Sequence, residues 1–335
     1  MTALVEGMAK HRMIEVTALL GPRQPCRGGT DDGNATIMNL FISWQCGFNG
    51  EPDAITWEAD PRHVELLRDQ LGFVEGSKSV VSPGVKEPQS MLDGPELELR
   101  EHALFKSVCM RASFLAADRP DITFCSKECA RAMSAPTEGA MRALKRLVRY
   151  LIGVPRLVWV WRQQGPQSYL TAITDSDHAG CKKTRKSTSC SAYMLGNHLL
   201  RLSSTTQATL ALSSGESEFV ATVKGTSGLL GLIEVGKDWG LIYKARLKTD
   251  SSSARGILAR RGVGKIRHLH TGLLWIQQLT VRKRLEVVKQ PGDTNVADLG
   301  TKMLDGQRTK KLLDILNLHA KAGRHPLAYR APGTA

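Results

Sequence analysis

Two aspartates at the end of an alternating segment are the first residues in this chain that could do chemistry. In the stretch TAITDSDHAGCKKTRKSTSC, residues 171–190, Asp175 and Asp177 follow residues that alternate like a half-buried β-strand. Taken alone, each aspartate is typical of a turn at a strand exit. Asp250 closes a second predicted strand in ARLKTD in the same way. The spacing therefore predicts carboxylates at the ends of two strands.

Two glutamates at the start of a long predicted helix can be assigned different roles. In LSSGESEFVAT, Ser213 and Glu216 match the capping-box pattern, in which the glutamate binds the backbone at the helix start. Glu218 has no such role, and it precedes Phe219 and Val220, where the helix is expected to enter the core. A carboxylate at that boundary needs a partner or a metal ion. The alternative is an exposed acid that the helix dipole favours.

A fourth acid completes a set that could bind metal. Asp298 lies in the first turns of a predicted last helix in DTNVADLGTKML, whereas Asp293 is better explained as a turn or cap residue. In open α/β sheets, sites gather at the ends of strands. Four carboxylates there could hold two divalent cations about 4 Å apart, an arrangement that cleaves phosphodiesters. Oxygen ligands favour Mg²⁺ or Mn²⁺ over zinc.

The elements that must position these acids form an α/β pattern from about residue 168 onward. Two strands are joined by a hairpin signal at Gly196–Asn197, and the predicted order of elements is βββαβααβα. The long helix is predicted over 214–238, with shorter helices near 252–260 and 266–280. Such an order is typical of a mixed sheet covered by helices. Glycines in the long helix each cost up to about 1 kcal/mol relative to alanine, which predicts a weakened helix; they are Gly225, Gly228 and Gly231.

The chain divides into four predicted segments. Residues 1–98 form a poorly defined leader and linker, and residues 99–164 form a mainly helical segment. The α/β domain covers 165–304, and residues 305–335 form a basic tail. The clearest upstream helix is TEGAMRALKRLVRYLIG, which has apolar and basic residues on different faces.

The charge of the chain is concentrated in its C-terminal half. The net charge is +14, yet residues 1–164 contain 20 basic and 20 acidic residues. Residues 165–303 contain 20 basic and 10 acidic residues, and residues 304–335 contain 6 and 2. Because phosphate contacts supply most sequence-independent affinity for nucleic acid, this asymmetry indicates a polyanionic partner. A basic face that only improves solubility is the alternative.

Cysteine usage and hydropathy indicate the compartment. Seven cysteines occur without the paired spacing of a zinc site, so reduced thiols in a cytoplasmic or nuclear protein are expected. The first residues lack the pattern of a secretory signal. No stretch reaches the roughly 18 apolar residues of a membrane span, so no membrane partner is expected.

Several ordered motifs resemble one known family. TDSDHAGCKKTRKSTSCSAYMLGNHLLRLSSTTQATLALSSGESEFVA is similar to the ribonuclease H segment of copia-type retrotransposon Pol polyproteins. The resemblance continues through KTDSSSARGIL, RHLHTGLLWIQ and TNVADLGTKML, and it covers about residues 168–304. Upstream, RPDITFCSKECARAMSAPTEGAMRALKRLVRYLIG resembles the C-terminal end of reverse transcriptase in the same polyproteins. ITWEADPRHVELL resembles a slightly earlier piece.

This resemblance implies a fold, an activity and a set of site residues. The fold is ribonuclease H-like, a five-stranded mixed sheet flanked by helices, and the activity is cleavage of the RNA strand of RNA–DNA hybrids. Two Mg²⁺ or Mn²⁺ ions are implied as cofactors. The four acids of the implied quartet are Asp175, Glu218, Asp250 and Asp298. The implied contacts with nucleic acid are Lys182, Lys183, Arg185, Lys186, Gln207 and His268.

The chain also departs from the family pattern. His178 stands where the family commonly has Trp, and the polymerase motif of paired aspartates between apolar strands is not matched by Asp31 and Asp32 in GGTDDGN. The chain is therefore expected to be truncated and to lack polymerase activity, with the rest of a Pol polyprotein as a possible partner. A folded but inactive nucleic-acid-binding remnant is the alternative to an active ribonuclease H. The oligomeric state is left open.

Overall fold

The computed structural model describes residues 20, 33–47, 52–74, 76–85, 94–181, 183–264 and 266–328. Within these residues lie two five-stranded sheets. The ribonuclease H-like fold predicted for the C-terminal half corresponds to the second sheet, which has the strand order β7-β6-β5-β8-β9. Its strands are β5 (Tyr169–Asp177), β6 (Thr188–Leu195), β7 (His198–Thr206), β8 (Lys244–Thr249) and β9 (Leu285–Lys289).

The second sheet is mixed, as the sequence predicts. Strands β5, β6 and β7 pair antiparallel, and Gly196–Asn197 forms the two-residue turn between β6 and β7. Gly196 has a φ of 59°, which a glycine adopts at little cost. Strand β8 pairs parallel to β5, and β9 pairs parallel to β8, because helices supply the crossover connections. This sheet and its helices confirm the predicted fold class.

Helices cover both parts of the chain. The upstream helices are α1 (Arg62–Gln70), α2 (Leu99–Leu115), α3 (Thr123–Ala130) and α4 (Glu138–Gly153). The downstream helices are α5 (Ser214–Asp238), α6 (Ser252–Ala259), α7 (Trp275–Val281) and α8 (Gly306–Ile315). The four upstream helices bury one apolar cluster, which includes Leu67, Phe105 and Leu144. Helices α5, α6 and α7 bury another against the second sheet, around Phe219 and Leu247.

The first sheet was not predicted from the sequence. It is antiparallel and contains β1 (Asn34–Ile37), β2 (Leu40–Gln45), β3 (Ala54–Ala59), β4 (Arg156–Arg162) and β10 (Leu318–Lys321). Its strands come from three distant parts of the chain, so local periodicity cannot reveal their pairing. Leu157 and Trp159 of β4 share a buried cluster with β6, β7 and α8. The division of the chain into four segments remains a prediction. Residues 305–335, predicted as a basic tail, contain α8 and β10.

Two predicted helices differ from the structure. In the helix predicted over 266–280, residues 267–270 are not helical; a 3-10 turn covers Thr271–Leu274 and α7 begins only at Trp275. The helix expected around Asp298 is a pair of 3-10 turns, Gly292–Thr294 and Val296–Gly300. The Asn295 side chain caps the second turn by accepting a hydrogen bond from Ala297 N at 3.2 Å. The α-helix itself begins later, at Gly306, with Asp305 as its N-cap.

Among the described cysteines, the expectation of reduced thiols is wrong at Cys46. Cys46 is disulfide-bonded, whereas Cys109, Cys125, Cys129, Cys181 and Cys190 are free. Burial raises the pKa of Cys109 to about 11 and that of Cys125 to about 12, so both thiols stay protonated at neutral pH.

Helix α5 meets the length and mean-hydropathy requirements of a membrane span, contrary to the sequence expectation. Half of its most apolar window is buried inside the protein, and Phe219, Val223, Leu229 and Ile233 pack on the second sheet. Its apolar character is explained by this packing, since a helix in the centre of a fold needs a wide apolar face.

Two of the glycines in α5 are required by its packing on the sheet, which corrects the view that they only weaken the helix. A Cβ atom at Gly225 would collide with Thr174 Cγ2 on β5. At Gly228 it would collide with the hydroxyl of Tyr193 on β6. A Cβ atom at Gly231 would have no neighbour within 4 Å. The helix therefore approaches the sheet more closely than alanine would allow at the first two positions.

Replacement of Gly225 and Gly231 by alanine is expected to have opposite effects on stability. Gly231→Ala should raise the free energy of unfolding by about 0.5–1 kcal/mol, since alanine restricts the unfolded chain. Gly225→Ala should lower it by about 1–3 kcal/mol, since the buried Thr174 must move. Urea denaturation followed by circular dichroism measures both changes. A stabilising Gly225→Ala would contradict this role of the glycine in packing.

Candidate metal centre

Asp175 and Asp250 lie together because their strands are parallel neighbours. In the register of β5 with β8, Thr174 pairs with Thr249, and each aspartate is the next residue along the chain. The two carboxylates therefore leave the sheet at the same edge. Asp175 is 2% exposed, so its side chain is held within the protein rather than in solvent.

Glu218 reaches the same edge from α5. Ser213 caps this helix by accepting a hydrogen bond from Glu216 N at 3.2 Å. The Glu216 carboxylate accepts one from Leu212 N at 2.8 Å, and it also lies 3.0 Å from His268 Nε2. Glu216 is therefore occupied at the helix start, as the capping-box pattern indicates, and Glu218 is the glutamate that faces the aspartates.

Three carboxylates converge at this edge. Asp175, Glu218 and Asp250 each place one oxygen atom within 4.8 Å of the others. Glu218 Oε1 accepts a hydrogen bond from Ser176 N at 3.3 Å. Glu218 Oε2 is buried and has no hydrogen-bond partner among the described residues. An orphaned buried oxygen beside two other carboxylates fits a hard divalent cation, which takes oxygen ligands.

The electrostatics of this cluster are those of crowded buried acids. Burial raises the pKa of Glu218 to about 8, and the negative charges of Asp175 and Asp250 add to the effect. Burial also raises the pKa of Asp175 to about 6, while the Lys302 ammonium and a hydrogen bond from Thr301 oppose the increase. Bringing a divalent cation among these groups would reverse both shifts, because an adjacent positive charge favours the ionised carboxylate.

Asp298 is close to the cluster but is tied to two cations. Its carboxylate lies 2.5 Å from Lys302 Nζ and 2.9 Å from Arg308. Lys302 Nζ is also 3.3 Å from Asp175 Oδ2, so its ammonium group bridges these two acids. The fourth acid of the predicted quartet therefore lies next to the group of three, separated from Asp175 by a lysine side chain.

Further polar groups around the cluster were not singled out from the sequence. The amide nitrogen of Asn295 lies 3.5 Å from Asp175 Oδ1 and 3.3 Å from Asp250 Oδ2. The Thr301 hydroxyl donates to Asp175 Oδ2. Both residues come from the motif TNVADLGTKML, which includes Lys302 as well. The signal was therefore present in the motif, but which of its side chains face Asp175 depends on the 3-10 turn.

Asp177 has a different role from Asp175. It accepts a hydrogen bond from Thr188 N, across the pair of strands β5 and β6. A Cβ at Gly180 would collide with the Asp177 carboxylate, so a glycine is required there. Helix α3 also contacts the start of β6, since Lys127 Nζ donates a hydrogen bond to Thr188 Oγ1 at 2.7 Å. Asp177 fixes the start of the β5–β6 loop rather than facing the three-carboxylate cluster.

The residues predicted to contact nucleic acid lie in different surroundings. Lys183 and Arg185 are exposed in the β5–β6 loop and Lys186 is partly exposed, while Lys182 lies outside the described residues. His268 is about half exposed and pairs with Glu216. Gln207 is 5% exposed and donates to Ser189 Oγ and Ser217 O, at 2.9 and 2.8 Å. The Gln207 amide nitrogen therefore joins β6 to the start of α5, while Gln207 Oε1 has no hydrogen-bond partner among the described residues. Its contact with nucleic acid stays a prediction.

The chain is similar to proteins encoded by plant retrotransposons. No family model matches it. It is 31% identical over 152 residues to the retrovirus-related Pol polyprotein from transposon RE1 of Arabidopsis thaliana, which corresponds to 45% of this chain and 10% of that protein. It is 23% identical over 251 residues to the retrovirus-related Pol polyprotein from transposon TNT 1-94 of Nicotiana tabacum. This match covers 74% of this chain and 18% of that protein. Its homologues include copia-type retrovirus-related Pol polyproteins. The chain spans only about a tenth to a fifth of their length.

Two solved structures are also similar to parts of this chain. One is the ribonuclease H1 named LC11-RNase H1, at 15% identity and a TM-score of 0.30, which covers 44% of this chain and 99% of that structure. The other is a foamy viral protease–reverse transcriptase in complex with double-stranded DNA, at 13% identity and a TM-score of 0.25, which covers 82% of this chain and 46% of that structure. Because both TM-scores are low, these similarities do not support the fold. The fold is instead assigned from the order and directions of the strands in the second sheet.

Replacing Glu218 by glutamine is expected to stabilise the metal-free chain at high pH. The folded-state pKa of about 8 lies above the ordinary 4.5, so the folded chain binds more protons and loses stability as pH rises through this window. Glu218→Gln should be more stable than the wild type by roughly 1–3 kcal/mol at pH 8 in a chelator, with little difference near pH 4.5. Urea unfolding at the two pH values measures this. Glu216→Gln keeps an oxygen that can accept from Leu212 N and loses only the charge beside His268, so it should show no such gain. An equal gain in both variants would refute the placement of the buried, raised pKa at Glu218.

Removal of the Lys302 ammonium is expected to make stability depend more strongly on metal. Lys302→Met leaves Asp175 and Asp298 without their shared cation, so the melting temperature in a chelator should fall by several degrees. Added Mg²⁺ should then raise the melting temperature more than it does in the wild type, since it supplies the missing positive charge. A smaller Mg²⁺ effect in the variant would mean that Lys302 does not compete with metal.

Proposed function

We propose that this chain hydrolyses the RNA strand of RNA–DNA hybrids as the ribonuclease H part of a copia-type Pol polyprotein. The observation that carries the proposal is the convergence of Asp175, Glu218 and Asp250 within 4.8 Å at one edge of the sheet. Each comes from a different element, so nothing in local structure requires them to meet. Buried like charges destabilise a fold, and clusters of this kind are found where they serve a function.

The three converging carboxylates are ligands of the kind that Mg²⁺ or Mn²⁺ prefers, and the proposal is that two such ions bind here. When bound, such ions activate water and stabilise the developing charge on the leaving oxygen. Asp175 is central because it is the acid that neighbours Glu218, Asp250 and, through Lys302, Asp298. Asp175 and Asp250 would hold the ions at the strand ends. Glu218 would contribute Oε2, which has no hydrogen-bond partner among the described residues, and Asp298 would contribute if Lys302 were displaced from it.

A hybrid substrate also fits the distribution of charge. The basic surplus of residues 165–303 includes the exposed side chains of Lys183 and Arg185 in the loop that follows β5. Lys182, which lies outside the described residues, belongs to the same basic run of the sequence. Because β5 ends at Asp177, only two residues after Asp175, the loop begins close to the carboxylates. Phosphates of a bound strand could therefore contact it.

A second candidate function is binding of nucleic acid without cleavage. It is favoured by one observation, the Lys302 ammonium between Asp175 and Asp298. If that cation is never displaced, the fourth acid cannot take part in metal binding. The chain would then retain its basic surface as a binding module.

Cleavage of a labelled RNA–DNA hybrid separates these two functions. With Mg²⁺ present, the wild type should release RNA fragments, and Asp175→Asn should be at least about a hundredfold slower because an anionic ligand is lost. Asp293→Asn is the matched control, since Asp293 is 71% exposed in a neighbouring turn, and it should keep near wild-type activity. Equal binding of the hybrid by wild type and Asp175→Asn, without cleavage by either, would support the binding module.

A further inference from the structure

A positively charged cavity lies between α5 and the edge strand β7, away from the carboxylates. Its volume is about 290 Å³, near the lower end for ligand pockets. Arg201, Ser203 and Thr205 line it from β7, and they share one face of the strand because they are two residues apart. Lys224 and Ser227 line it from α5.

The chemistry of this cavity is that of an anion site. It contains two cationic side chains, four hydroxyl groups and no carboxylate among its lining residues. Lys224 Nζ donates to the neutral hydroxyl of Thr205 at 2.6 Å. Within the described part of the chain, neither Lys224 nor Arg201 has an acidic partner in an ion pair, in contrast to Arg246, which pairs with Glu286 at 2.9 Å. Two unneutralised cations that face one cavity attract a multivalent anion.

The cavity is built by specific packing rather than by the chance approach of exposed side chains. Tyr193 lies opposite Arg201 on β6 and is 6% exposed. Its hydroxyl can occupy the base of the cavity only because Gly228 lacks a Cβ, which would collide with that oxygen. Although the Lys224 side chain as a whole is exposed, partial burial of its ammonium end lowers its pKa. The glycine and the tyrosine thus shape a concave surface lined with hydrogen-bond donors.

The position of the cavity relates it to the proposed reaction. Lys224 lies six residues beyond Glu218 on the same helix, a distance of roughly 9 Å along the axis. The cavity is on the face of the sheet that α5 covers and on the side of the β7 edge, where the sheet has no further strand among the described residues. A polynucleotide with one phosphate at the carboxylates could thus continue over this edge.

We propose that the cavity formed by Tyr193, Arg201, Ser203, Thr205, Lys224 and Ser227 binds a backbone phosphate of the nucleic acid, at a distance from the reacting group. This inference rests on the proposed function for the identity of the polymer. The cavity holds the strand by charge and hydroxyl donors, and it does not read bases, so its contribution to affinity is independent of sequence.

The test measures how binding of a fluorescent RNA–DNA hybrid to the full chain depends on salt, in a chelator so that no cleavage occurs. The variant Arg201→Gln/Lys224→Gln should reduce the slope of log affinity against log salt by about 1. Its affinity at low salt should be weaker by roughly tenfold for hybrids of two different sequences. Ser227→Asp, which places an anion in the cavity, should weaken binding in the same way. Lys237→Gln/Lys244→Gln, with the same loss of charge near the other end of α5, should leave the slope unchanged.

Inorganic phosphate distinguishes a free anion from a polymer. If phosphate raises the melting temperature of the wild type more than chloride at equal ionic strength, but the slope for the hybrid is unchanged in Arg201→Gln/Lys224→Gln, the cavity binds free phosphate and the proposal is overturned.

The same measurements separate this proposal from the proposed function. An unchanged slope in a variant of a chain that cleaves hybrids overturns this proposal and leaves the proposed function intact. A reduced slope in a chain that binds without cleaving supports the cavity and contradicts the hydrolytic function. A wild type that binds no hybrid overturns both.

Discussion

The close packing of α5 on β5 is the constraint on which the carboxylate site depends. Gly225 lets the helix backbone approach Thr174, the residue that precedes Asp175. Two turns earlier, Ser217 Oγ lies 2.9 Å from Ser176 Oγ, and Glu218 Oε1 accepts from Ser176 N. These contacts fix the height of the helix above the sheet, and with it the separation of Glu218 from Asp175. A bulkier residue at 225 would move the glutamate away from the strand ends.

The same packing creates an electrostatic cost that the surrounding residues reduce. Three carboxylates close together in a buried place repel each other and lose hydration. Lys302 offsets part of this cost through Asp175, and the amide of Asn295 lies between Asp175 and Asp250. Glu218 has no such compensation at Oε2 among the described residues. In the proposed function a divalent cation would supply the missing positive charge, and the cost to stability would be the physical counterpart of its affinity.

The upstream part of the chain contributes to the site through a small number of contacts. Lys127 of α3 holds Thr188 at the start of β6, and Arg131 donates to Cys181 Sγ at 2.6 Å in the loop that carries the basic residues. The apolar cluster of the upstream helices also includes Met303, which follows Lys302. The upstream helices therefore support two segments that surround the acids, so a change in their packing would be felt at the site.

How much of this could be predicted from the sequence differs between residues. Asp175 and Asp250 were predictable because a strand exit is visible in local alternation, and Glu218 was separated from Glu216 because capping has a local pattern. The ion pair between Lys302 and Asp175 was not predictable, since it depends on a 3-10 turn where a regular helix was expected. The first sheet was missed because β10 joins β4 across more than 150 residues. Gly225 and Gly228 were misinterpreted, because helix propensity describes the helix alone and the neighbours of these two glycines lie on another element.

Anomalous diffraction from crystals of the full chain grown with Mn²⁺ tests the central claim most directly, because it locates the ion without reference to activity. We expect an anomalous peak in contact with carboxylate oxygens of Asp175, Glu218 and Asp250, and loss of that peak in Asp175→Asn. Ordered carboxylates with no peak between them at saturating Mn²⁺, or a peak that persists in Asp175→Asn, would contradict the claim.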